Sequence, residues 1–249
     1  MLEQCGRIGT IPLAYRAVDG AKTGIMFLGG FHSDMTGAKA EYLANWCADH
    51  DHAFVRFDYS GHGASGGTFA DGTIGQWLDD AETVLLALTT GPQILVGSSM
   101  GGWIGLLLAL RHTERVAAFV GIAAAPDFTE DLMWARFPSD TRHQIATEGQ
   151  WERISPYGGS YPITRQLILE GRKHLLLHRP IPLNIPARLL QGQADLDVPW
   201  RRSLALAEAM VSSDVEVTLI KDGDHRLSTP ANLDLLGCIL STLLRHDCA

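Results

Sequence analysis

The chain has 249 residues, 46% hydrophobic and 19% charged, and its 28 Asp+Glu against 20 Lys+Arg leave a formal net charge of −8. That apolar share excludes an intrinsically disordered chain, and the acidic balance without a basic stripe excludes a nucleic-acid binder, which needs clustered Lys and Arg to displace counterions. The longest uninterrupted apolar stretches, 102–110 and 116–125, are about half the length of a membrane span, so no span is expected.

From the N-terminus, residues 7–18 are expected to form an antiparallel strand or hairpin at a sheet edge. Strands follow at 25–28, 54–59, 93–97 and 116–123, separated by helices at 36–50, 74–89 and 101–111. After a long intervening segment come a strand at 187–191, a helix at 200–210, a strand at 215–220 and a closing helix at 232–245. Most of the strand runs are continuously apolar rather than alternating, the pattern of strands covered on both faces. Strand and helix in alternation imply right-handed crossovers and a doubly wound, mostly parallel α/β sheet in a single domain.

Residues 127–186 break this rhythm. The segment holds six prolines together with Trp134, Phe137, Trp151, Tyr157 and Tyr161. A structureless loop of that length is uncommon in a compact domain, so the segment is expected to carry short helices of its own, as a lid or packed subdomain. Its seven Lys/Arg balance its seven Asp/Glu, which leaves the aromatics as its means of contact with an apolar ligand portion. The expected organisation is a core of 1–126 and 187–249 with 127–186 inserted as the lid.

Residues 1–7 show neither a secretory signal nor an Arg-rich transit pattern, and a cytoplasmic location is expected. Cys5, Cys47, Cys238 and Cys248 are widely spaced without a C-x-x-C pair, which suits free thiols.

The strongest motif is Gly97-Ser98-Ser99-Met100-Gly101, a G-x-S-x-G between an expected strand and an expected helix. A serine on such a turn exposes its Oγ at the carboxyl edge of the sheet, and the small residues let strand and helix approach closely. Ser98 has Val96 two positions before it, so Ser99 is the candidate nucleophile. A serine hydroxyl needs a base and an orienting carboxylate. Of the ten histidines, His225 alone follows the last strand and precedes the final helix, where a doubly wound sheet delivers a base to its nucleophile. His50, His52, His112, His143, His174, His178 and His246 are expected in surface or packing roles. The acid is expected at Asp195, after the penultimate strand; Asp197 is the rival, with helix capping as its structural alternative. Asp222 and Asp224 are expected in a solvated loop. Backbone N–H groups of Met100 and Phe31 are the candidate oxyanion donors, Phe31 also walling a pocket, while His32 has a substrate contact or a structural hydrogen bond as alternatives.

Gly61-His62-Gly63-Ala64-Ser65-Gly66 matches G-x-G-x-x-G, but no helix opens at its last glycine and no acidic residue ends a second strand, so it reads as a flexible turn rather than a nucleotide site. No His/Asp/Glu cluster has metal-ligand spacing, His50-Asp51-His52 reading as a solvated helix end. Neither metal nor cofactor is expected.

Three stretches resemble one family of α/β-hydrolases, the α/β-hydrolase-domain-containing protein 10 family with its bacterial relatives. They are Arg56 to Ser65, Gly91 to Trp103, and Leu176 to Pro182 leading into Arg188 to Gly192 and Val198 to Trp200. The resemblance spans roughly residues 24–244. It implies a serine hydrolase acting on acyl esters and thioesters, including acyl glucuronides and S-palmitoyl cysteine, with a triad on Ser99, Asp195 and His225. No counterpart of the family's mitochondrial extension is expected here, so the resemblance is not taken to imply mitochondrial residence. Hydrolysis of a carbon–carbon bond by the same triad, or a non-catalytic binding protein on the same fold, are the alternatives.

Overall fold

Successive residues of an extended chain point to opposite sides, so a strand with no polar face needs cover on both. The computed structural model, which describes residues 3–154 and 159–246, supplies that cover around one eight-stranded sheet. Tyr157 and Cys248 lie outside the described residues, as does the side chain of His246. In chain order the elements are β1 (Gln4–Ile8), β2 (Leu13–Val18), β3 (Lys22–Leu28), α1 (Ala38–His50), β4 (His52–Phe57), α2 (Ile74–Leu88), β5 (Gln93–Ser98), α3 (Met100–Arg111) and β6 (Val116–Ile122). They continue with α4 (Ser139–Glu148), β7 (Gln150–Ile154), β8 (Ser160–Thr164), α5 (Arg165–Gly171), β9 (Ala187–Gly192), α6 (Arg201–Ala209), β10 (Val215–Ile220) and α7 (Pro230–His246).

The sheet runs β1-β2-β4-β3-β5-β6-β9-β10. Strands β1, β2 and β4 pair antiparallel, and every pair from β4 through β10 is parallel. The edge element is a hairpin that begins at Gln4 rather than at residue 7. Each face has its own core. Ile25 and Phe27 of β3 and Ile94 and Val96 of β5 pack with α1 and α7, while Met26, Leu28 and Leu95 pack with α2, α3 and the inserted segment. Burying each of these side chains contributes roughly 1.5–3 kcal/mol. Strand order reverses at β3, with β4 on one side and β5 on the other. Such a switch point opens a crevice at the carboxyl ends of the two central strands.

Between β6 and β9 the chain leaves the sheet. The described residues 127–154 and 159–186 carry α4 and α5, a π-helical turn (Thr129–Met133), two short 3-10 turns and the antiparallel pair β7–β8. The short helices are present as expected, and the hairpin is an addition that was not expected. β7 alternates exposed and half-buried positions, placing Trp151 and Arg153 on one side, and Pro162 is tolerated in β8 because the hairpin has only one pairing edge on each strand. Asp127 ties the start of the segment to its later part, its carboxylate oxygens accepting the N–H groups of Leu176 and Leu177 at 2.8 Å each. Burial pushes its carboxyl above the ordinary range while these two bonds act in the opposite direction.

Among the described residues, no helix is long and apolar enough to cross a membrane, and Cys5, Cys47 and Cys238 are free.

Candidate active site

The turn from β5 into α3 is a tight elbow whose glycines have steric reasons. A Cβ on Gly97 would run into the backbone of Gly101, and one on Gly101 into the carbonyl of Leu28. One on Gly102 would stand 2.6 Å from Ala124 Cβ. Ser99 sits at the apex with φ 53° and ψ −116°, a strained conformation for a residue with a side chain, costing on the order of 1–3 kcal/mol. Its N–H donates to Ile122 O at 2.9 Å and its carbonyl accepts from Ala125 N at 3.0 Å, so the end of β6 and the loop that follows it hold the strained residue in place. Its Oγ opens onto the crevice, at the N-terminal, electropositive end of α3.

The loop after β10 brings His225 to this hydroxyl, with Nε2 3.1 Å from Ser99 Oγ. The loop's shape comes from Asp224, whose exposed carboxylate accepts Leu227 N–H at 2.9 Å, and from Lys39, whose ammonium donates to Arg226 O at 2.5 Å. Burial pulls Lys39 down to about 8. On the far side of the imidazole, Nδ1 lies 2.8 Å from Asp195 Oδ2. A carboxylate only accepts, so Nδ1 carries the proton and Nε2 is left to accept from the serine.

Asp195 is fully buried and held by three more donors. Oδ1 accepts the N–H groups of Asp197 and Val198 at 2.9 and 2.8 Å, and Oδ2 accepts Gln191 Nε2 at 3.0 Å. Gln191 is itself oriented by Ser203 Oγ at 3.0 Å. It was missed from the sequence, where the signal was an uncharged polar residue near the end of a buried strand. Asp197 contributes a backbone N–H to Asp195 and lines the cavity, but it does not cap α6, whose N-cap is Trp200.

A cavity of about 890 Å³ opens over Ser99. Its apolar lining includes Phe31, Phe128, Leu132, Phe137, Trp151 and Tyr161, the last five from the segment between β6 and β9. Phe31 is wedged edge-on among Phe69, Phe128 and Tyr161 at ring-centroid distances of 5.0, 5.5 and 5.6 Å. His32 lines the cavity, stacked on Tyr161 at 4.7 Å. The backbone N–H groups of Phe31 and Met100 make no hydrogen bond among the described residues. Trp134 lies under Arg172 at 5.3 Å instead of lining the cavity.

Three expectations need correction. His52 is buried within β4, its Nδ1 2.8 Å from Thr23 O and its ring stacked on Trp46, so it does not belong to a solvated helix end. The glycine-rich turn after β4 is firmly knit: Asp58 accepts from Met35 N and Ala64 N at 2.7 and 2.8 Å, and Gly61 N donates to Gly66 O at 2.8 Å. Two groups of possible metal ligands also come together that spacing did not reveal. Of Asp127, Asp131 and His178, however, the first is spent on backbone N–H groups and the second on Arg202 at 2.7 Å. The other group is Asp195, Asp197 and His225.

A tight strand-to-helix elbow with a serine at its apex, at the switch point of a mostly parallel sheet, is the layout of α/β hydrolases. A family profile described as alpha/beta hydrolase fold matches residues 25–155. Over 234 residues the chain is 44% identical to the mouse (Mus musculus) protein named palmitoyl-protein thioesterase ABHD10, mitochondrial, covering 93% of this chain and 78% of that one. The solved structure of mouse α/β hydrolase domain-containing protein 10 matches with a TM-score of 0.90 at 40% identity, covering 99% of both chains. A solved Agrobacterium vitis S4 protein matches with a TM-score of 0.94 at 38% identity, covering 98% of this chain and all of that one. The chain belongs to the α/β-hydrolase fold family and within it is a relative of ABHD10.

Proposed function

We propose that the protein is a serine hydrolase that cleaves carboxylic esters and thioesters through an acyl-enzyme. The observation that carries this reading is the continuous chain Ser99 Oγ, His225, Asp195, at 3.1 and 2.8 Å, with its hydroxyl end open to the cavity. His225 takes the serine proton through Nε2 as Ser99 attacks the acyl carbon. The C–O or C–S bond to the leaving group then breaks as His225 returns that proton to it. Water repeats the sequence: His225 deprotonates it, it attacks the acyl carbon, and the acid leaves as Ser99 is reprotonated. Asp195 orients the imidazole and stabilises its charged form. The N–H groups of Phe31 and Met100 receive the negative charge of the tetrahedral oxygen, an effect worth about 10²–10³ in rate per donor.

We assign residues 127–186 as a lid over a core of 1–126 and 187–249. Its Phe128, Phe137, Trp151 and Tyr161 offer the acyl chain an apolar wall. The similarity to proteins named palmitoyl-protein thioesterase supports a thioester of a long acyl chain as substrate class. Cytoplasmic residence belongs to this reading as well; the relatives' names place those proteins in mitochondria, and cell fractionation decides between the compartments.

Competitive labelling tests the reading. A fluorophosphonate should label the native protein at Ser99, and long-chain acyl thioesters should slow that labelling more than short-chain esters. Folded protein that takes no label at Ser99 is a binding protein on a hydrolase fold.

A further inference from the structure

The turn at His62 takes no part in the chemistry above, yet its imidazole reaches the loop that carries Phe31. The ring is buried beside Tyr59, Phe69 and Trp77, with centroids 5.8, 5.1 and 5.2 Å away. Its Nε2 accepts the backbone N–H of His32 at 3.2 Å, and its Nδ1 lies 3.2 Å from Ser60 O. An acceptor at Nε2 and a carbonyl facing Nδ1 fit one tautomer, the neutral ring protonated on Nδ1. Burial reinforces that state, pulling the imidazole down to about 4.

Ser33 acts on the preceding peptide. Its N–H and its Oγ–H both donate to Gly30 O, at 3.3 and 2.7 Å. The Gly30 carbonyl and the Phe31 N–H belong to one planar trans peptide and point in opposite directions. Holding the carbonyl on Ser33 therefore aims the N–H away from it. Gly30 packs against the elbow, where a Cβ would stand 3.5 Å from Ser99 Cβ. The next peptide ends at His32, whose φ of 56° is left-handed and so needs an external hold. Ser33 and His62 thus fix two consecutive peptides, the first of which carries the Phe31 N–H.

We propose that His62, together with Ser33, is a positioning residue that aims the Phe31 N–H at the oxyanion. The proposal rests on the reading of Ser99 as nucleophile and Phe31 as donor. Neither residue touches the reacting atoms. Their effect falls where charge develops on the acyl oxygen, so it appears in kcat and in the affinity for oxyanion mimics rather than in KM.

The test compares His62→Leu, which removes the acceptor, with His62→Gln, whose amide oxygen can accept the His32 N–H. Ser33→Ala removes one hydroxyl and leaves the core untouched, so it stays informative if His62→Leu folds poorly. Rates are normalised to serines titrated to completion with a fluorophosphonate. For His62→Leu, kcat should fall about ten- to a hundredfold with KM within about threefold, and a trifluoromethyl ketone should bind more weakly by the same factor as kcat. His62→Gln should recover a substantial part of that loss, and Ser33→Ala should lower kcat about three- to tenfold. Parental kcat per titrated serine in both Ser33→Ala and His62→Leu, or no recovery in His62→Gln, overturns the proposal. Parental turnover in Ser99→Ala instead removes the underlying reading, and the proposal with it.

Discussion

The Asp195 carboxylate receives the Nδ1–H of His225 at 2.8 Å from a fully buried position. Asp197, two residues on, gives that carboxylate only a backbone N–H. The two acids should therefore separate on substitution. Asp195→Asn, which cannot hold the required imidazole tautomer, should lower kcat by about 10³–10⁴. Asp197→Asn keeps its N–H and should stay within about tenfold of the parent. Steady-state kinetics on p-nitrophenyl butyrate decides, and a large loss in Asp197→Asn alone would assign the acid to the wrong residue.

Gln191 holds Asp195 Oδ2 at 3.0 Å and is held in turn by Ser203. Gln191→Leu removes one of the four hydrogen bonds to the carboxylate and leaves the Ser203 hydroxyl unpaired in the core. The expected cost is about 1–3 kcal/mol of stability, with about a tenfold loss in kcat as Asp195 gains freedom to rotate. Thermal melts and kinetics on the same preparation check both, and an unchanged kcat would leave Gln191 a packing residue only.

Much of this arrangement is legible in the amino-acid sequence. The runs at Ile25 to Leu28 and Gln93 to Gly97 read as doubly covered strands because two different helix layers claim their alternate residues. The elbow reads clearly because steric crowding at Gly97, Gly101 and Gly102 leaves no other residue type there. What escapes is set by partners remote in sequence. Gln191 becomes a support for Asp195 only through the turn that follows β9, and His52 is buried because α1 folds back over β4 and stacks Trp46 on it. The hairpin β7–β8 escapes because five-residue strands with polar alternate positions and a proline carry almost no strand signal.

Trp151, stacked edge-on against Phe137 at 5.3 Å, faces the cavity from that hairpin. Loss of its apolar surface should be felt by long acyl chains only. Trp151→Ala should raise KM for a palmitoyl thioester about tenfold, corresponding to roughly 1.4 kcal/mol of lost contact, while butyryl substrates stay within about twofold. Equal effects on both chain lengths would place the acyl chain elsewhere.

His62 also gives the fold an acid limb. In the unfolded chain an imidazole takes up its proton near the ordinary value of about 6.5, whereas in the fold it does so only at about 4. Between these values the unfolded state binds more protons, so stability falls as pH drops through that window, by on the order of 3 kcal/mol at most. His62→Gln has no proton to bind, and its stability should fall less steeply from pH 6.5 to 4. Denaturant melts across that range check the slope; parallel curves for the two proteins would mean that His62 titrates normally.

The central claim is that Ser99 forms the acyl-enzyme. Mass spectrometry of protein quenched in acid during turnover of a p-nitrophenyl ester measures this directly. One acyl group per chain, located on the peptide containing Ser99 and absent in Ser99→Ala together with turnover, is the predicted result. An acyl group on another residue, or parental turnover by Ser99→Ala, would contradict it.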